Sequence, residues 1–428
     1  MTIIEQGKCK IEKLSAEGLG VSRSLKGAIE LPYVLPGEIV EFERHKYRSK
    51  TNCILKAIVL ESSARIEPRC KYFGACGGCS LQHLQTDNYI KFKTDLIQDL
   101  LDVEKITTAV KPLVSIPFGN RRRVNLKVLK KNDYIYLGFH RFHAHQIINI
   151  DECPAILENL SALIKPLKQL CNLIFENSQK AEIYLNQAVN GVHALFATKD
   201  PLSLNDLQRR ELAIFATSNQ IIQIIFESEK SREVAYQAHL PFIEFDGKKV
   251  DVEANSFLQT STHSDIIFKD LILDFFLQEK EVERKNIVDL FCGRGTFALP
   301  LAEYFTVNSF EFDCAAVAAL LESIKLYNLP ASAHMRDLFT NPLPAKDLSK
   351  FDYAVINPPR VGAGAQCREL AKSNIKKIAY ISCNPQSFIK DAKILISGGY
   401  NLCEVIPVDQ FPMTAHLEIV ATFLKETD

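Results

Sequence analysis

Apolar residues in the first sixty positions come in short runs broken by glycine and proline: CKIEKLS, GLGVSRS, GAIELPYV, LPGEIVEFERHKY and TNCILKAIVL. Five such runs at regular spacing predict a small β-barrel. A cysteine-rich segment fills 61–83, and 84–110 has a helical pattern. From 118 to about 250, strand-like pieces (RVNLKVL, YIYLGFH, AEIYLN, HALFATK, IIQIIFES) surround a helical stretch near 154–176. After 250 the rhythm changes. THSDIIFKDLILDFFLQE is apolar at helical spacing, with Ser264 or Thr262 placed to cap it. Short apolar runs then alternate with helices: NIVDLF, VNSFEF, SAHMRD, FDYAVIN, KKIAYIS, NLCEVIPV and LEIVATFL. That alternation predicts a mostly parallel, doubly wound α/β sheet. Three domains are expected, at 1–60, 61–250 and 251–428.

Composition narrows the class. A chain of 428 residues, 47% hydrophobic and 24% charged, is neither disordered nor fibrous. Runs such as IIQIIF are too short to cross a bilayer, and the N-terminus has no signal pattern, so a cytoplasmic, membrane-free protein is expected. Lys+Arg and Asp+Glu are balanced at 51 each, so affinity for a polyanion needs a local patch. Residues 105–145 supply one, with nine basic residues against Asp133 alone. In RRRVNLKV alternate residues share a face, so Arg121 and Arg123 are candidates to track an RNA backbone. A reducing compartment makes metal ligation or catalysis the expected use of clustered thiols among the twelve cysteines. CKYFGACGGCS, residues 70–80, holds such a cluster.

The C-terminal half carries a second constellation. VDLFCGRGTFALPLA puts Asp289 at a strand end, followed by Gly293 and Gly295 in a turn that opens a helix. The next two strands end near Glu311 and Asp337, placed for a ribose and an adenine amino group. One acid per successive strand end suits S-adenosylmethionine (SAM) better than a phosphate-bearing dinucleotide. FDYAVINPPR then sets Asn357 and Arg360 on a rigid loop at the sheet's carboxyl edge, where ligands bind. YISCNPQSF brings Cys383 to the same edge as a candidate nucleophile, and His416 and Glu418 stand where the last apolar strand begins.

Together these residues resemble the RNA 5-methyluridine (uracil-5) methyltransferase family, over nearly the whole chain. GLGVSRS…GAIELPYVLPGEIVEFE is similar to a TRAM domain, an RNA-binding barrel of OB type. CKYFGACGGC with the later DECP resembles the family's 4Fe-4S ligand set, which implies Cys70, Cys76, Cys79 and Cys153. NSFLQT resembles its SAM-contacting segment through Gln259, and VDLFCGRGTFALPLA, NPPR, YISCNPQ and HLE follow in family order. The resemblance implies an OB-like barrel, a central α+β iron-sulfur domain that binds RNA, and a Rossmann-like class I methyltransferase domain. A TRAM domain together with the cluster points toward the bacterial 23S rRNA branch, with tRNA as the alternative substrate and a monomer as the expected state. The chain departs from the family at Asn357, where an aspartate is usual, and at Ser261, where an asparagine is frequent.

The implied chemistry starts from a poor nucleophile, carbon 5 of uracil. Addition of the Cys383 thiolate to carbon 6 would activate it, and Glu418 would later remove the carbon 5 proton. Arg360 and Gln259 would orient the base or cofactor, and Asn357 would contact the cofactor. A cytosine-5 RNA methyltransferase is disfavoured because NPPR lacks a cysteine, and an adenine-amino enzyme because Arg360 replaces the stacking aromatic. C-x5-C-x2-C is not radical-SAM spacing. Zinc is the rival for the thiols, although only one C-x2-C pair exists. From another class, the chain could be a non-catalytic RNA-binding iron-sulfur protein on a decayed methyltransferase fold.

Overall fold

The computed structural model describes residues 2–47, 50–278 and 283–426. At the N-terminus, two three-stranded antiparallel sheets close on each other. Thr2–Lys10, Ile39–Tyr47 and Lys50–Leu60 form one; Lys13–Leu14, Gly20–Ser24 and Gly27–Leu31 form the other. Ile11, Ile29, Leu31, Val34, Val40 and Phe42 fill the space between. Gly20 has no substitute there, since a Cβ would lie 2.4 Å from Val34 Cγ2.

The central sheet has seven strands, with Arg123–Lys131, Lys180–Ala188 and Gly191–Thr198 at its middle. The expected helical stretch is two helices, Glu158–Ala162 and Ile164–Ile174. With Asp206–Ser218 they cover one face, burying Leu126, Val128, Ile183, Leu185 and Phe196. The other face carries the alternate positions Lys127, Leu129 and Lys131 beside Tyr134 and Tyr136.

The C-terminal sheet places Ala331–Met335, Thr306–Glu311, Asn286–Leu290, Tyr353–Ile356 and Lys377–Ser382 side by side in parallel. Glu418–Lys425 and Tyr400–Asp409 complete it antiparallel. The order in which strands are added reverses at Asn286–Leu290, which opens the ligand crevice of doubly wound sheets at that point. Apolar side chains on both faces bury its central strands, as a mostly parallel sheet requires, while the edge strand Ala331–Met335 stays partly exposed. Ser261, rather than Ser264 or Thr262, caps the helix Thr262–Phe276, accepting from the His263 N–H at 3.0 Å. Ser264 is buried instead. Glu279, the last residue of that expected helix, lies outside the described residues.

Two segments pack differently from the expected boundaries. The helix Thr86–Val103 buries Ile97 and Leu101 against Phe388, Leu395 and Ile419 of the C-terminal body. Strands Ala109–Val110 and Val114–Ser115 pair with Tyr400–Asp409. The hairpin Phe242–Phe245/Lys248–Asp251 adds Ile243, Phe245 and Val250 to the same body. Residues 86–116 therefore leave the 61–250 block, because an apolar face does not state which core receives it. Among the described residues no helix is long and apolar enough to cross a membrane.

A buried ion pair joins the central and C-terminal bodies. Arg122 Nη2 lies 2.8 Å from Asp265 Oδ2, while its Nε donates to the Gln259 carbonyl at 2.9 Å. The carboxylate lacks a well-aligned donor, and burial holds it protonated up to about 6 against the pull of Arg122. Replacing Arg122 with Leu is expected to cost about 3–5 kcal/mol at pH 7.5, read from urea unfolding. The native carboxyl binds its proton more tightly than the unfolded one. The penalty should therefore shrink as pH falls from 7.5 to 5 and Asp265 is neutralised. Equal penalties at both pH values would show that charge plays no part.

Candidate active site

Cys383 follows the strand Lys377–Ser382, and Glu418 opens the strand Glu418–Lys425. Ser382 pairs with Ile419 in the antiparallel ladder, so the next step outward sets Cys383 opposite Glu418 at the sheet's carboxyl edge. Glu418 is 5% exposed. Burial pushes its carboxyl up to about 7, opposed by the Gln410 side chain, which donates at 3.1 Å, and by Arg360 and Lys93. Burial also pushes the Cys383 thiol up to about 11; the charge of Glu418 adds to this and that of Arg360 opposes it. The Arg360 carbonyl accepts from Asn384 Nδ2 at 3.0 Å, which fixes the NPPR loop beside the cysteine.

A cleft of about 1220 Å³ opens over the thiol, walled by Arg121, Arg360, Phe411, His416 and by Phe142 and His143 of the central body. Arg121 lies over the Phe411 ring at 5.2 Å, and its Nη2 is buried without a hydrogen-bond partner. Arg123 lines the cavity beside the cysteines together with Arg121. It donates to the Leu258 carbonyl at 2.9 Å and lies 5.7 Å from the exposed ring of Phe257. The two arginines share that cavity, and Arg123 also holds the segment that carries Gln259. The expected basic face reappears further along the same strand. Lys127 and Lys131, joined by Lys180 and Lys199 from distant sequence, line a groove of about 650 Å³ with Tyr136. Lys127 is neutralised in part by Glu182 at 2.5 Å.

On the other side of the sheet's midpoint lies the cofactor constellation. Asp289 is fully buried, and neither of its oxygens makes a well-aligned hydrogen bond; the Ala298 N–H is the donor at hand. Burial, helped by the charge of Glu311, holds its carboxyl protonated up to about 8. Glu311 takes the Gly293 N–H at 3.0 Å on one oxygen and the Phe312 and Asp313 N–H groups at 2.7 and 3.0 Å on the other. Gly293, at φ +54°, would carry a Cβ into open space, whereas a Cβ on Gly295 would lie 2.5 Å from Leu320 Cδ1. One glycine leaves room for a ligand; the other admits the neighbouring helix. Asp337 accepts from Thr340 Oγ1 at 2.7 Å and from the Phe339 N–H at 2.9 Å, so its turn orients it. The Asn357 N–H donates to the Leu290 carbonyl at 3.2 Å, tying the NPPR loop to the strand of Asp289. Gln259 is buried where the Arg122 contact holds its backbone. An open glycine cradle beside an unsatisfied buried carboxyl fits a nucleoside cofactor such as SAM.

Cys70, Cys76, Cys79 and Cys153 line one cavity of about 150 Å³, with Arg121 and Gln82. Burial raises the thiols of Cys76, Cys79 and Cys153, the last to about 12, and the other cysteines' charges add to it. Among the described residues no three His, Cys, Asp or Glu side chains are grouped as a site for a metal ion. Four thiols around a common cavity are nevertheless the donor set that a 4Fe-4S cluster takes.

Sequence reading missed several residues here. Lys93 and Tyr89 reach the Glu418 turn from the helix Thr86–Val103, and Gln410 holds the carboxyl. The available signal was a lysine on the helix's apolar row, where Tyr89, Lys93, Ile97 and Leu101 are all buried. Exposed Phe312 and Met335, 70% and 68% accessible, flank the acids at the strand ends.

Comparison with known proteins agrees with this geometry. The profile of the tRNA (uracil-5-)-methyltransferase family matches residues 87–426, and that of the tRNA (uracil(54)-C(5))-methyltransferase TRAM domain matches 8–64. An uncharacterized RNA methyltransferase of Brucella suis is 35% identical over 99% of both chains. The 23S rRNA (uracil(1939)-C(5))-methyltransferase RlmD of Shewanella amazonensis is 29% identical, over 97% of this chain and 94% of its own. In fold, the chain superposes on the Pyrococcus abyssi tRNA (uracil-54, C5)-methyltransferase, solved with S-adenosyl-L-homocysteine. The TM-score is 0.74, the identity 24%, and the coverage 98% of this chain and 100% of that one. A thiol facing a buried carboxyl, a nucleoside cradle and a TRAM barrel thus occur in one ordered chain. It belongs to the tRNA (uracil-5-)-methyltransferase family, the SAM-dependent RNA (uracil-5-)-methyltransferases.

Proposed function

We propose that this enzyme methylates carbon 5 of a uridine in 23S rRNA through a covalent adduct of Cys383 with carbon 6. The observation that carries the reading is the Ser382–Ile419 pair, one step beyond which Cys383 stands by the buried, high-pKa Glu418 and feels its charge. The Cys383 thiolate forms a bond to carbon 6, and the electrons of the 5,6 double bond pass into an enolate. Carbon 5 becomes nucleophilic. SAM, when bound, supplies an electrophilic methyl on a sulfonium that departs as a neutral thioether. Glu418 then takes the carbon 5 proton, the double bond reforms, and the carbon–sulfur bond breaks to return the thiolate. Arg360 favours the ionised thiol and faces the enolate. Arg121, with its unpartnered guanidinium nitrogen, lines the entry for an extruded base.

Gln259, Asp289, Gly293, Gly295, Glu311, Asp337 and Asn357 would hold SAM. The exposed Phe312 and Met335 suit the two faces of an adenine. Cys70, Cys76, Cys79 and Cys153 would hold a 4Fe-4S cluster that braces the central body. Lys131, Lys180 and Lys199 line the groove that supports phosphate contacts away from the target base. The RlmD relatives, similar along nearly the full chain, favour rRNA. The family profile and the archaeal fold neighbour favour the second reading, tRNA.

Cys383→Ala is expected to abolish methylation, whereas Glu418→Gln should accumulate an RNA–protein adduct visible on a denaturing gel. An adduct-free Glu418→Gln protein would point to another base. The base acts ionised and its pKa is raised to about 7, so kcat/KM should rise as pH increases through about 7. A flat profile from pH 6 to 8 would remove Glu418 from that role.

Labelled methyl transfer from SAM to separate rRNA and tRNA pools, with mapping of the product base, should place 5-methyluridine in 23S rRNA. Label confined to tRNA would establish the second reading. For the cluster, anaerobically purified protein should show broad visible absorbance with about four iron and four sulfide per chain. Stoichiometric zinc without sulfide would replace it with a zinc site.

A further inference from the structure

Residues 410–417 join the last two strands and lead directly into Glu418. Three distant parts of the chain hold this turn. From the helix Thr86–Val103, Lys93 Nζ donates to Asp409 Oδ1 at 2.9 Å and to the His416 carbonyl. Tyr89 donates its hydroxyl to Asp409 Oδ2 at 2.6 Å, and the same hydroxyl accepts the Met413 N–H at 2.9 Å. From the cysteine loop, the Ser80 and Leu81 N–H groups both donate to the Met413 carbonyl at 3.0 Å. From the segment after Gln259, Thr260 Oγ1 donates to the Gln410 carbonyl at 3.2 Å, and Gln410 in turn donates to Glu418. Met413 sits at φ +64°, a left-handed conformation that a non-glycine residue keeps only when its surroundings hold it there.

Lys93 is 0% exposed and Asp409 1%. A buried ion pair is a poor way to gain stability, since apolar side chains of similar volume do as well or better. It does direct donors: the ammonium spans the start and the end of the turn, fixing where the strand of Glu418 begins. Resting on the adduct chemistry proposed above, we infer that Lys93, with Tyr89 and Asp409, is the positioning device that sets Glu418 for removal of the carbon 5 proton. Through Met413 it shares that task with the loop following Cys79. Cys383, Arg360 and Lys93 are the titratable neighbours of Glu418, the last two cationic, beside neutral Gln410. Loss of Lys93 therefore removes a positive charge from the carboxyl's surroundings as well as a tether from its turn.

The experiment uses Lys93→Met and Tyr89→Phe in the full chain, the second removing only a hydroxyl. Lys93→Met is expected to bind SAM within about twofold of the parent and to form the RNA adduct. It should turn over at least about tenfold more slowly, accumulate that adduct, and show its kcat/KM rise at a higher pH. Tyr89→Phe should move turnover and adduct level the same way by about threefold to tenfold. Parent-like turnover, adduct level and pH profile in Tyr89→Phe would overturn the inference, whether or not Lys93→Met folds. A lowered melting temperature with an unmoved pH profile would make the network structural alone and also overturn it. Cys383→Ala and Glu418→Gln run alongside. If Cys383→Ala still methylates, the adduct reading fails; if both controls behave as expected while the network variants match the parent, only this inference fails.

Discussion

The ladder between Lys377–Ser382 and Glu418–Lys425 sets the site, because its register places Ser382 against Ile419 and thereby Cys383 against Glu418. A one-residue slip would send one of the two side chains to the opposite face of the sheet. Both strands are buried almost throughout, so moving the register would expose Ile419 or bury Glu418 elsewhere. Packing energy therefore fixes where Cys383 and Glu418 stand relative to each other. On its other edge the strand Glu418–Lys425 pairs with Tyr400–Asp409, and Val408 opposite Glu418 brings Asp409, and with it Lys93, beside the site.

Burial around this edge sets the protonation states. Glu418, Asp289 and Asp265 are all raised, in each case first by loss of water and only then adjusted by neighbouring charge. Glu418 is left close to neutrality, where a carboxylate is a competent base at ordinary pH. Cys383 is pushed the other way from readiness, and Arg360 is the neighbour that opposes it. Asp289 stays without a well-aligned partner beside an open glycine, the condition of a group awaiting a ligand.

The four clustered cysteines and Cys383 line different cavities, yet Arg121 lines both. The backbone after Cys79 also grips Met413. A change in the cysteine loop thus has a direct mechanical route to the turn before Glu418.

Local pattern determined much by itself. Alternation and glycine-proline punctuation marked the barrel, the central strands and the doubly wound sheet, because periodicities of two and 3.6 follow from backbone geometry. Ordered motifs at strand ends marked Cys383, Glu418, Asp289 and Glu311, because a strand's carboxyl end is where a doubly wound sheet presents ligands. Only the tertiary structure decided which core each apolar face joins, so residues 86–116 moved to the C-terminal body. It also decided what each arginine meets beyond the cavity they share, Arg121 the cleft and Arg123 the Leu258 carbonyl. Lys93 shows the reason most plainly: its partner Asp409 lies 316 positions away. A charge on an apolar helix row is legible in sequence, but the group that neutralises it is chosen by packing across the whole chain.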